Sequence, residues 1–125
     1  MNKYLVVAFG GAIGSMLRFW AGGLISGRLG TRFPYGTFVI NITASFLIGF
    51  IMTVLSERAH LSPSWRYLLV VGFLGGYSTF SSFEYESFSV FRDGEVLIAA
   101  VNIAFSVVVG FVAVWVGVIT GRAIA

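Results

Sequence analysis

Residues 72–86, GFLGGYSTFSSFEYE, constrain the fold of this chain more than any other stretch. They lie inside an apolar run from near Trp65 to Phe91, yet they hold a Gly-Gly pair, the hydroxyls of Ser78, Thr79, Ser81 and Ser82, and two carboxylates. A helix facing lipid on all sides has no use for such groups, because hydrocarbon offers them no partner. Gly75-Gly76 is where the backbone can leave helical geometry without steric penalty, and Ser78 and Thr79 can rebond the freed backbone groups. The segment therefore reads as a membrane helix broken near its middle. At membrane depth such a break persists only where it is buried in protein or lines a cavity, and its unpaired carbonyls are ready-made cation ligands.

The chain around this stretch is 58% hydrophobic and only 10% charged over 125 residues, with a mean hydropathy of +0.93. A soluble domain carries roughly 25% charged residues, so the composition predicts an all-α integral membrane protein. At about 20 apolar residues per span, spans at about 4–24, 35–55, 65–91 and 96–119 fill residues 1–125 as a single four-helix domain, multi-pass in the inner or plasma membrane. Lys3 ahead of an apolar stretch resembles the start of a secretory signal, but Arg18 interrupts that stretch and no convincing small-residue cleavage site follows. Absence of cysteine excludes disulfides and thiolate metal sites, and the one histidine, His60, falls in a loop. With no nucleophile–base pair and no metal set, the chain does not read as an enzyme. Its net charge of +3 comes from eight scattered cations that form no run or patch, which fits loop anchoring and not nucleic-acid binding.

Each of the other spans carries one polar or small stripe. On the first, Gly10, Gly14, Arg18 and Gly22 are each one helical turn apart. The glycines permit close backbone approach. Arg18 must snorkel, pair or face an aqueous vestibule, since an arginine within a span costs roughly 2.5–3.5 kcal/mol on insertion scales. On the second span Thr37, Asn41 and Ser45 share a stripe that ends in Gly49. Asn41 is the candidate there: its amide offers two donors to an anion while a neighbour holds its carbonyl. After the break, Phe80 and Phe83 stand three apart and are expected to share a face, with Ser81 and Ser82 between them. Glu84 and Glu86 follow near the span end, where a charge meets headgroups. Asn102 and Ser106 mark the stripe of the last span, continued by Gly110.

With four spans, Lys3, Arg58, Arg66 and Arg122 fall on one side, and Arg28, Arg32 and Arg92 on the other, joined by Arg18 if it reaches that far. Orientation follows Lys/Arg asymmetry, so a balanced chain can insert both ways. Four helices are also thin material for enclosing an aqueous path. An antiparallel homodimer is the simplest solution.

At residues 75–83, GGYSTFSSF, the sequence resembles the Fluc/CrcB family of small fluoride channels, whose mark is a Gly-Gly, Ser/Thr-rich break followed by a Phe-x-x-Phe pair. The likeness extends to Leu17-Arg18 at the end of the glycine-rich first span, to Pro34-x-Gly36-Thr37, and to Asn41 one turn later. It covers essentially the whole chain. The resemblance implies a dual-topology homodimer with two antiparallel fluoride pores and a central structural sodium ion. By position, Phe80 and Phe83 would be the pore phenylalanines with Asn41 beside them, Gly75 and Ser78 would give backbone carbonyls to sodium, and Arg18 would sit in the vestibule. Asn102 and Ser106 match pore-lining polar positions, whereas Gly110 stands where relatives can carry another hydroxyl.

Fluoride is small and strongly hydrated, so a selective pore must replace its water without holding it. The weakly positive ring edges of Phe80 and Phe83 suit that task, with Asn41 and Ser81 as hydrogen-bond donors. The main alternative is a small multidrug-type proton-coupled antiporter. That chemistry needs a membrane-embedded carboxylate, usually early in the chain, and the first span offers Arg18 instead.

Overall fold

The computed structural model describes residues 2–125, which form helices and turns without a strand. Helix α1, Lys3–Leu29, starts where the Asn2 side chain accepts the Tyr4 N–H at 2.8 Å, satisfying one of the donors that a helix start leaves free. It stops at Gly30, whose φ of 88° belongs to the left-handed region that favours glycine, with the Gly30 N–H on the Ser26 carbonyl at 2.9 Å. The first span, expected to end near residue 24, is therefore helical as far as Leu29. Helix α2, Tyr35–Glu57, follows Pro34, and α5, Val96–Ile124, closes the chain.

Helices α1 and α5 contain 27 and 29 residues, about 40 Å or more at 1.5 Å per residue. They outrun a hydrocarbon core of about 30 Å, because helical hydrogen bonding does not stop where the lipid does. Three helices, α1, α2 and α5, are each long and apolar enough to cross a membrane.

The third crossing is assembled from two half-length pieces. Helix α3, residues 64–77, begins beyond Pro63, widens into π geometry over Tyr67–Leu74 and returns to α geometry at Gly75–Tyr77. Helix α4 is Phe80–Arg92. Between them Ser78 (φ −84°, ψ 159°) and Thr79 (φ −152°, ψ 120°) are extended, and the halves join with a bend of 15°. The third helix is thus broken near its middle, but not at the glycines. Gly75 is helical, with φ −61° and ψ −35°.

The second glycine acts by size. A Cβ at Gly76 would stand 2.6 Å from the Gly11 carbonyl oxygen of α1, and one at Gly14 would run into the Phe73 carbonyl. Helices α1 and α3 therefore pack backbone against backbone, as the stripe on the first span predicts. The same device joins α2 to α5, where Cβ atoms at Gly49 and Gly117 would strike the backbones of Val114 and Phe46. Ile40, Ala44, Leu74 and Tyr77 form the buried apolar core between α2 and α3. Most other large apolar side chains face outward, Phe19 and Phe111 among them, as they do in a protein dissolved in lipid.

Candidate functional site

Breaking a helix strands backbone groups, and in this chain each stranded group meets a specific partner or none. The Leu74 carbonyl keeps its helical donor, the Ser78 N–H at 3.0 Å, and gains the Ser78 hydroxyl at 2.8 Å. The Thr79 N–H, which a continuous helix would give to the Gly75 carbonyl, goes to Asn41 Oδ1 at 2.9 Å, while Asn41 Nδ2 donates to the Thr79 carbonyl at 2.9 Å. The Ser82 N–H, due to Ser78, is taken by Thr79 Oγ1 at 3.1 Å, so Thr79 caps α4. The Gly76 carbonyl accepts from Arg18 Nε at 3.0 Å. Four carbonyls lose their helical donors in this exchange, those of Gly75, Gly76, Tyr77 and Ser78, and of these only Gly76 gains a side-chain donor, from Arg18.

Arg18 is thereby placed. Its guanidinium caps the C-terminal end of α3, where the helix dipole concentrates negative charge. The ion pairs among the described residues, Arg32–Glu95 at 3.6 Å and Arg92–Asp93 at 4.0 Å, are exposed and lie away from it. The charge of Arg18 is met by backbone dipoles, and its side chain is half-buried.

The α2 stripe faces this seam. One turn before Asn41, Thr37 Oγ1 lies 2.9 and 2.7 Å from the two carboxylate oxygens of Glu86 and donates to them. Glu86 therefore turns into the bundle toward α2, and only Glu84 stays exposed as a span-end charge would. The sequence did carry a signal for this: Glu86 is one turn beyond Phe83 and across from a hydroxyl stripe. One turn after Asn41, Ser45 joins Asn41, Leu74, Gly75, Ser78 and Phe80 in lining a groove along the break, open to the outside of the single chain.

Phe80 and Phe83 are neighbours, with ring centroids 6.0 Å apart and planes inclined at 55°. They do not share an environment. Phe80, at the first position of α4, is 74% exposed at the mouth of the groove, while Phe83 is 6% exposed inside the bundle. Ser81 is also exposed. On α5, Asn102 is 2% exposed and donates through Nδ2 to Ser87 Oγ at 2.8 Å, while Ser106 Oγ donates to Asn102 Oδ1 at 3.3 Å. Asn102 is thus brought to α4 with Ser106 bonded behind it, and neither lines the groove of Asn41. Ser87, fully enclosed between α4 and α5, is a polar residue that the reading of the stripes missed, although it sits one turn past Phe83.

Among the described residues no group of three His, Cys, Asp or Glu side chains could hold a metal ion. The oxygens that the break leaves without helical donors are main-chain carbonyls. A helical bundle with an interrupted span, an arginine-capped break and a carboxylate hydrogen-bonded to a neighbouring helix belongs to the class of multi-pass membrane channels and transporters. Within that class the comparisons are specific. Residues 5–118 match the profile described as CrcB-like protein, Camphor Resistance (CrcB). A relative from Solibacter usitatus, named a fluoride-specific ion channel, is 49% identical over 120 residues, covering 96% of this chain and 98% of its own. Relatives of the same name from Acidobacterium capsulatum and Geotalea uraniireducens are 48% and 44% identical, across 98% and 99% of this chain and 98% and 100% of theirs. The chain belongs to the CrcB family.

Proposed function

We propose that this chain is a fluoride-selective channel that lets cytoplasmic fluoride leave the cell by passive electrodiffusion. The observation that carries the reading is the seam at 78–79, where Asn41 holds the break open beside Phe80 and Phe83, in a chain whose relatives bear the fluoride-channel name. Asn41 keeps one N–H beyond the one given to Thr79, and that donor is available to an anion. Ring edges bind fluoride weakly enough to release it. Undissociated acid that enters ionises in a less acidic cytoplasm, and an inside-negative potential favours anion exit by about 2.3 kcal/mol per 100 mV, roughly fifty-fold. No pump is needed. The proton-coupled antiporter finds no support in the names of the relatives.

The functional unit is an antiparallel homodimer of chains inserted in both orientations. In one chain a Cβ at Gly75 would meet nothing nearer than the Val70 carbonyl oxygen at 3.8 Å, so nothing within the chain demands glycine there. A second copy seated over the open groove would demand it, and would cover Phe80. The Gly75 and Ser78 carbonyls, both deprived of their helical donors, fit a hard cation on the two-fold axis between the copies. Sodium held by them would supply fixed positive charge that crosslinks the two breaks. It would stay in place while fluoride moves.

Purified protein in liposomes, assayed for fluoride against chloride efflux, tests the channel. Fluoride efflux well above chloride efflux is expected, and equal rates would reject selectivity. A reversal potential that follows an opposed sodium gradient would reject the static cation.

A further inference from the structure

Helix α4 carries both phenylalanines, yet its 13 residues are joined to α3 through two extended residues and not through a continuous helix. Something other than chain continuity must set its rotation. Two polar ties do so, from adjacent residues about 100° apart around the helix. Glu86 is tied to Thr37 on α2, and Ser87 to Asn102 on α5. A helix tied on one face can rock about that tie, whereas one tied toward two different helices cannot turn without breaking a bond. In hydrocarbon no water replaces a broken partner.

We infer that Ser87 and Asn102 are positioning residues for Phe83, the Asn102-to-Ser87 hydrogen bond fixing the rotation of α4 against α5 and with it the ring's place in the ion path. Ser87 is one turn from Phe83 on the same face of α4. Ser87 and Asn102 are 3% and 2% exposed, and Ala99, one turn before Asn102 on α5, is small and buried, which lets α4 sit close. Asn102 Oδ1 accepts from Ser106, and one of the two Nδ2 N–H groups goes to Ser87. Asn102 is enclosed and does not line the groove of Asn41, so it acts on the path through Ser87 and not as an anion ligand, which goes beyond its expected pore-lining role while resting on the channel reading of Phe83.

Single-channel recording in planar bilayers separates position from folding, because a folding defect lowers the number of channels and leaves the unit fluoride conductance of each one unchanged. Ser87→Ala and Asn102→Leu are each expected to lower unit conductance about tenfold, the factor matching the loss of one buried hydrogen bond. The double variant is expected to be no worse than either single one, since the two act through one bond. Ser87→Cys, which keeps a weak acceptor, should recover part of the loss. A fall in Asn102→Leu with wild-type conductance in Ser87→Ala would overturn the inference and make Asn102 an ion ligand. Wild-type conductance in both would overturn it too. Phe83→Ile with wild-type conductance would remove Phe83 from the path, a failure of the channel reading that is distinct from both.

Discussion

Asn41 grips Thr79 with both ends of its amide, Nδ2 donating to the Thr79 carbonyl and Oδ1 accepting the Thr79 N–H, each at 2.9 Å. The side chain stands in for a strand partner. It supplies a donor and an acceptor to one extended residue, as a neighbouring peptide would, so the helix is interrupted at Thr79 without leaving that residue's backbone groups bare in the membrane.

Asn41→Leu removes both partners. Two stranded backbone groups at about 1–3 kcal/mol each should lower stability by several kcal/mol, read as a lower unfolding temperature in detergent. Asn41→Asp should do comparable damage, since a carboxylate cannot donate to the Thr79 carbonyl. An Asn41→Leu protein as stable as the wild type would remove the bridging role.

The two phenylalanines should separate experimentally. Phe80→Ile alters a ring that is 74% exposed in the single chain and should leave subunit stability within about 0.5 kcal/mol of wild type while sharply cutting fluoride flux. Phe83→Ile alters a 6% exposed ring, so it should cost about 1–3 kcal/mol in stability as well as flux. Equal thermal shifts for the pair, or wild-type flux from both, would contradict this assignment.

Glycine substitutions should sort by what lies above each Cα. Gly14→Ala and Gly117→Ala force α1 from α3 and α2 from α5, and should abolish folded protein on size-exclusion chromatography. Gly110→Ala should be tolerated, because its Cβ would lie 3.5 Å from Ser45 Oγ, an ordinary contact. Gly23→Ala, with nothing within 4 Å, should be neutral or stabilising by up to about 1 kcal/mol.

Dual orientation is expected from the balanced cations. Single cysteines added at the two termini, in a chain that has none of its own, should react with impermeant label from both faces of intact cells. Labelling from one face alone would eliminate the antiparallel dimer.

How much of this was legible beforehand differs from residue to residue. The apolar runs and the polar interruption at 72–86 were sufficient to read a four-span bundle with a broken third helix, because hydrocarbon tolerates only a backbone that bonds to itself. The stripes were readable for a similar reason, as a turn of 3.6 residues places Thr37 beside Asn41 and Gly10 beside Gly14 wherever the helix ends up.

Other features depend on a second helix and were out of reach. The break falls at Ser78-Thr79 and not at Gly75-Gly76 because conformational freedom at a glycine permits a break but does not stabilise one, whereas Asn41, 38 residues away in sequence, stabilises an extended Thr79. Gly76 is spent instead on contact with α1. The turn of Glu86 toward Thr37, the capping of Gly76 by Arg18 and the parting of Phe80 from Phe83 follow the same rule. Spacing along one helix says which residues share a side, but the rotation of that helix in the bundle says what they face, and rotation is decided by the hydrogen bonds and backbone contacts that only the assembled helices can make.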